Sequence, residues 1–237
     1  MDRGIWAIWY DVADADRSAY LEWFHGVHIP EKLARSGYVW AAHYAMDVDC
    51  GVARQPVRPG MPPPPGPAGG TGFLALFGGD TVAAFLDPSP GQLKGLQDDA
   101  TRRMIGMRRN AFGGLLAEAF RTDGPARALR GPGVTPGPWI AFELFSAADA
   151  AAEDAVLANI VQQRLPRIAT HPGAIGARVL LGATGWARYG LLQEFATQAP
   201  LAAAIASPLP AAAAIHANAS PGMGRRIWPP ASQSATT

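Results

Sequence analysis

The apolar residues open at close spacing. Residues 4–11, Gly-Ile-Trp-Ala-Ile-Trp-Tyr-Asp, are aromatic or β-branched at most positions and predict a first strand. Alternation puts Trp6, Ile8 and Tyr10 on one side of it, with Ala7 and Trp9 on the other. The period then changes. Asp14 and Asp16 supply the side-chain oxygens that start a helix, and Tyr20, Trp23, Phe24 and Val27 follow at i, i+3, i+4 and i+7 as one helical stripe. Pro30 has no N–H and its ring presses on the carbonyl of Gly26, so the helix kinks or restarts there. Gly37 ends it, and residues 38–44 predict a second strand, with Tyr38, Trp40 and Tyr44 on one side and His43 on the other. The pattern thus predicts one strongly aromatic sheet face.

Farther on, residues 51–71 are rich in Pro and Gly and predict a long loop or mobile linker. A short strand at 72–77, helical segments at 81–86 and 92–107, and a strand at 111–120 complete the first half. A second Gly/Pro-rich linker spans 124–138. The order then repeats: strand 139–145, helix 152–168, strands at 173–181 and 186–195, an alanine-rich helical stretch at 198–216 and a last strand at 222–228. Sliding the second half back by 136 puts Pro166 on Pro30, Gly173 on Gly37, Phe142 on Trp6, Leu157 on Leu21 and Ala177 on Ala41. Each half reads β-α-β-β-α-β. The predicted fold is α+β: two tandem ferredoxin-like halves, 1–123 and 139–230, forming a pseudo-dimeric barrel with a cavity between the sheets, and a disordered tail at 231–237. Further dimerisation of the two-half chain, as a homodimer, is left open.

Composition narrows the function. Of 237 residues 49% are hydrophobic, ample for a core, and the net charge is +1 with basic residues scattered along the chain. That excludes nucleic acid or an anionic membrane as the main partner. Cys50 is the only cysteine, so neither an intrachain disulfide nor a multi-cysteine metal site can form. No apolar run reaches the roughly 18 residues of a membrane span. The amino terminus lacks the layout of a signal peptide, so a soluble cytoplasmic protein is expected.

The candidate chemistry sits in the segment from Trp23 to Glu31. On a helix turning about 100° per residue, His25 and His28 lie about 60° apart on one flank of the aromatic stripe, and Glu31 falls nearby. A carboxylate beside an imidazole fixes its tautomer and raises its pKa, which suits a general base near neutral pH. His28 is therefore the expected acid/base, with Glu31 orienting it and His25 as a further candidate. The second half carries Val161, Arg164 and Arg167 at the corresponding positions, so a single working site would belong to the first half. Trp6, Tyr10, Phe24, Trp40, His43 and Tyr44 are the expected substrate-binding residues, and they favour a hydrophobic or aromatic small molecule. A metal at His25, His28 and Glu31 has the right residue types, but Pro30 disrupts the geometry. No cofactor is expected, haem and metal both lacking support. The signatures of serine hydrolases and of nucleotide-binding enzymes are missing.

The run Trp9-Tyr10, Tyr20 to Glu31 and Gly37 to Tyr44 resembles the dimeric α+β barrel superfamily of ferredoxin-like proteins, and within it the EthD-like proteins, in which a helix carries an aromatic, a His-x-Pro-type segment and a strand-opening glycine. The motif covers about residues 5–45, and the insertion at 51–71 departs from the compact family pattern. The superfamily includes muconolactone isomerases, cofactor-independent monooxygenases, polyketide cyclases and haem-binding enzymes. The resemblance implies isomerisation, cyclisation or cofactor-independent oxygenation, with a non-catalytic small-molecule binding protein as the alternative.

Overall fold

A computed structural model of the chain describes residues 2–46, 72–130, 135–147, 149–185, 187–205 and 222–230. Cys50, the insertion at 51–71, the alanine-rich stretch beyond 205 and the tail at 231–237 lie outside the described residues.

The first half runs β1 (Gly4–Val12), α1 (Asp14–Trp23), a π-helical turn (Phe24–His28), α2 (Ile29–Leu33), β2 (Tyr38–Met46), β3 (Phe73–Gly79), α3 (Pro90–Gly95), α4 (Asp99–Gly106) and β4 (Arg108–Asp123). The second runs β5 (Trp139–Phe145), α5 (Ala150–Asn159), a π-helical turn (Ile160–Arg164), α6 (Leu165–Thr170), β6 (Ala174–Gly182), β7 (Tyr189–Phe195), α7 (Gln198–Ile205) and β8 (Gly222–Trp228). The eight strands close into one antiparallel barrel in the order β1-β3-β2-β8-β5-β7-β6-β4. Each half contributes four neighbouring strands, and the β2–β8 and β4–β6 pairs seal the two seams.

Local chemistry explains where the elements differ from the sequence expectation. The helix predicted over 92–107 is two helices, because Asp98 caps α4 by accepting from the Thr101 N–H at 2.7 Å and so breaks the run. Residues 82–85 form only a 3₁₀ turn, and β4 extends beyond 111–120 at both ends. Pro30 does restart the helix. The Ile29 N–H bonds to the Phe24 carbonyl, and Pro30 falls in the first turn of α2, where no N–H is needed.

Much of this recurs 136 residues later. The two π turns correspond, as do β2 and β6, whose bulges fall at Tyr38/Trp40 and Ala174/Gly176. Gly37 and Gly173 have φ of +80° and +82°, the left-handed region that an L side chain enters only with strain. The first strands shift by one. Tyr10 pairs with Phe73 and Phe145 with Tyr189, so Phe142 does not correspond to Trp6. Phe142 points into the barrel and Trp6 out, since a slip of one residue exchanges the faces of a strand.

The same alternation corrects the single aromatic face. Trp40 and Tyr44 lie inside the barrel with Ile5, Trp9, Phe142 and Leu192. Trp6 and Tyr10 lie outside it, under the helices, with Phe24 and Phe77. The sequence shows which residues share a side of a strand, but not which side faces the helices. Tyr38 leaves the side of Trp40 because the bulge falls between them.

Arg178 of β6 is fully buried inside the barrel. Its guanidinium donates to the Asp2 carboxylate at 2.6 Å and to Glu194 at 3.3 Å. Asp2 also accepts from Trp40 Nε1 and from Arg121, both at 2.8 Å. Burial alone would raise the Asp2 carboxyl. The Arg178 charge and the bonds from Arg121, Trp40 and Arg178 outweigh it and hold Asp2 below the usual carboxylate range. Replacing Arg178 with Met leaves two buried carboxylates short of a partner and is expected to cost about 3–5 kcal/mol in urea unfolding. Because the folded Asp2 pKa is depressed, its contribution is full above the unfolded value of about 3.9 and is lost as pH falls through and below it. Asp2→Asn is expected to flatten that acid limb.

Candidate active site

The helix–sheet layer of the first half holds two groups of ionisable side chains. In the first, Tyr10 from β1 and His43 from β2 meet at 2.8 Å between the phenol oxygen and Nε2. His43 Nδ1 lies 2.8 Å from His25 Nε2 on the π turn. The three form one hydrogen-bonded chain from the buried layer to the half-buried His25, whose ring stacks near Trp228. Burial, then the nearness of His25 and Arg108, keeps the His43 imidazole well below the usual histidine range. Burial also lowers His25, and it raises the Tyr10 phenol well above 10.

The second group surrounds His28, which is 5% exposed and packed against the rings of Trp23 and Phe24. Its Nδ1 is buried without a hydrogen-bond partner. Leaving such a nitrogen unpaired costs about 1–3 kcal/mol, so it calls for an explanation. His28 lines a recess of about 220 Å³ with Glu31, Lys32, Arg35, Gln97, Asp98 and Thr101. Burial, and then the charges of Arg108, Lys32 and Arg35, lower its pKa to about 3. His28 is therefore a neutral imidazole at physiological pH, in a field that favours negative charge.

Arg108, at the start of β4, is the main source of that field. Its Nε donates to the Tyr20 hydroxyl at 2.7 Å, and its guanidinium lies over the Tyr10 ring at 4.6 Å and the Phe24 ring at 5.2 Å. Its Nη2 is buried and has no hydrogen-bond partner. Arg108 also lines a groove of about 490 Å³ whose apolar wall includes Trp6, Ile8, Phe112 and Leu115.

The second half gives the contrast. Arg164, at the place of His28, donates to both Glu143 oxygens at 3.1 and 3.2 Å, and Gln193 donates to the same carboxylate at 3.1 Å. Burial raises the Glu143 pKa although Arg164 and Gln193 pull it down. There the buried polar position is satisfied within the chain. In the first half it is open.

Of the residues expected to share a site, the structure unites Tyr10, His43 and His25, with Phe24 against them, and places His28 apart from that chain. Trp40 and Tyr44 lie on the far side of the barrel wall, Tyr44 donating to the Gly137 carbonyl at 2.9 Å. Glu31 does not orient His28. It is exposed at the recess rim, and its charge acts on Lys32. Among the described residues His25, His28 and Glu31 form no metal-holding group, because His25 is spent on His43 and Glu31 turns outward. Sequence reasoning missed Arg108 and Lys32. A signal for Lys32 existed: of 20 Lys and Arg residues only Lys32 and Lys94 are lysines.

No protein-family model and no curated protein matches the sequence. Solved structures do share its fold. An anthrone oxidase-like protein superposes with a TM-score of 0.60 at 10% identity, over 95% of this chain and 91% of the other. A protein named "putative chlorite dismutase" gives 0.57 at 12% identity, over 96% of both chains. A "putative monooxygenase" from Fusobacterium nucleatum gives 0.52 at 7% identity, over 88% and 82%. The chain therefore has the eight-stranded fold of the dimeric α+β barrel type. No helix among the described residues is long and apolar enough to cross a membrane. The expectation of no cofactor is corrected by the same comparison, since the matching chains include that "putative chlorite dismutase".

Because His28 binds no proton until about pH 3 when folded and does so near 6.5 when unfolded, the unfolded chain holds the extra proton between those values. Stability is therefore expected to fall as pH drops from about 6.5 toward 3 and to be full above that window. His28→Leu is expected to remove this part of the dependence, read by urea unfolding across the range. In histidine NMR spectra the His28 ring is expected not to titrate between about pH 5 and 8.

Proposed function

We propose that this chain is a small enzyme of the dimeric α+β barrel type, of the EthD-like kind, that acts on a hydrophobic or aromatic small molecule by proton transfer through His28. The observation that carries the reading is the buried, unpartnered Nδ1 of His28, a residue that helps to line the recess. A ligand proton or hydroxyl completes that hydrogen bond. The neutral imidazole takes the proton as negative charge develops on the ligand and offsets the field of Arg108, Lys32 and Arg35, and those cations stabilise the enolate- or phenolate-like charge left behind. The apolar groove beside Trp6 suits the hydrophobic part of such a ligand. The names of the matching structures, an anthrone oxidase-like protein and a "putative monooxygenase", support a substrate of that class.

The same reading takes the chain as two tandem ferredoxin-like halves, 1–123 and 139–230, joined by a linker at 124–138. The paired π turns, bulges and left-handed glycines at a constant offset support it.

Haem enters through the comparisons, and neither the recess nor the groove fits it. The His28 recess is smaller than the roughly 300–1,000 Å³ of ordinary ligand pockets. The larger groove has no His, Cys, Met or Tyr in its wall to serve as an axial ligand.

The test is solvent deuterium exchange into a panel of phenols, anthrones and enolisable ketones. Wild-type protein is expected to accelerate exchange at one carbon, and His28→Gln to lose about 10²–10⁴-fold of that acceleration. Ligand-dependent shifts of the His28 ring with no exchange in any compound would instead favour the binding protein. No shift and no exchange would end both readings.

A further inference from the structure

Lys32 stands out in the recess for its chemistry. It is 6% exposed, and among the described residues no carboxylate pairs with it. Its ammonium lies 5.5 Å over the Trp6 ring, and it lines the recess one turn beyond His28. The groups around it are His28 on the π turn, Glu31 on its own helix, Arg35 just past that helix, Arg108 from β4, and Asp98 at the cap of α4. Asp98 is engaged with the Thr101 N–H. If the position needed only positive charge, arginine would serve, and this chain uses arginine for all but two of its 20 Lys and Arg residues. Lysine differs in one respect that matters here: buried, it can lose its proton and become a nucleophile, which arginine cannot.

We propose that Lys32 forms an imine with the carbonyl group of a small aldehyde or ketone seated in the His28 recess. The neutral Nζ adds to the carbonyl carbon, forming a C–N bond while the carbonyl π pair moves to oxygen. The C–O bond then breaks, and the oxygen leaves as water with the two protons of the amine. A proton taken up from solvent water at the imine nitrogen makes the adjacent C–H acidic. That proton passes to His28, and the C–H electron pair becomes the C=C bond of an enamine. No oxidant or reductant is consumed. Burial, with Arg35 and Arg108, lowers Lys32 to about 8 while Glu31 pulls the other way, which supplies free amine near neutral pH. The imine gives the proposed proton transfer a substrate class, a carbonyl compound with an enolisable carbon. Only the α-proton step rests on the role proposed for His28.

The experiment treats the full chain with pyruvate and sodium cyanoborohydride and locates the adduct by peptide mass spectrometry. The exposed Lys94 is the internal control. Lys32 is expected to be modified at least about tenfold faster than Lys94 near pH 7.5, because burial and the Arg35 and Arg108 charges hold Lys32 at about 8. Lys32→Arg is expected to remove the adduct with the circular dichroism spectrum unchanged. Equal modification of both lysines, or none at Lys32, overturns the proposal. His28→Gln separates the two readings. An adduct retained at Lys32 with deuterium exchange at the pyruvate methyl group lost supports both. An adduct retained with exchange unchanged leaves Lys32 as the nucleophile and removes His28.

Discussion

The barrel closes around a buried charge. Arg178 has no exposure, and an isolated guanidinium in that position would be far too costly to keep. Asp2 and Glu194 make it tolerable, and in doing so they tie together distant parts of the chain. Asp2 precedes β1, Arg178 lies on β6 across the β4–β6 seam, and Glu194 accepts from the Gly137 N–H at 3.0 Å just before β5. At the other seam Arg226 of β8 donates to the Pro136 carbonyl at 2.7 Å. The apolar interior provides the driving force for closure. The ion pairs fix which ends meet, since any other register would strand a charge.

With the inside of the barrel given to packing and closure, the proposed chemistry falls to its outer face. Both halves place a polar side chain beneath the π turn, and they handle it differently. Arg164 is matched by Glu143 and Gln193, so the second half is finished as it folds. His28 is left with a free nitrogen next to an arginine that also lacks one partner. Such a pair of unmet groups is destabilising in the absence of a ligand, and this is a usual mark of a site kept open for use.

Periodicity made most of the fold legible. The βαββαβ order, the helix restart at Pro30 and the role of Gly37 all follow from residue types with strong local preferences. The offset of 136 holds for the first helical segment and the second strand of each half because a Pro and a Gly mark the same two backbone events in each. It fails by one in the first strand, where no such marker exists. His28 was legible as a histidine on the buried stripe, but Glu31 misled, because proximity along a helix does not decide whether a side chain turns in or out. Trp40 and Tyr44 were grouped correctly with each other and wrongly with Trp6 and Tyr10, since the inward side of a strand is set by tertiary packing. Arg108 was beyond reach of the sequence. It lies 80 residues from His28, and only the β1–β4 pairing brings it there.

The π turn sets the angular phase of everything after it. Tyr20, Phe24, His28 and Lys32 are all buried at steps of four, as are Val156, Ile160, Arg164 and Ile168. On an unbroken α-helix each such step drifts by about 40°, so three steps would carry the last residue about 120° around the axis and toward solvent. The wide turn takes up part of that drift. One additional residue in the coil thereby keeps an imidazole and an amine on the same bearing as the aromatic ridge that anchors the helix, and the recess exists as a consequence of helical pitch as much as of side-chain choice.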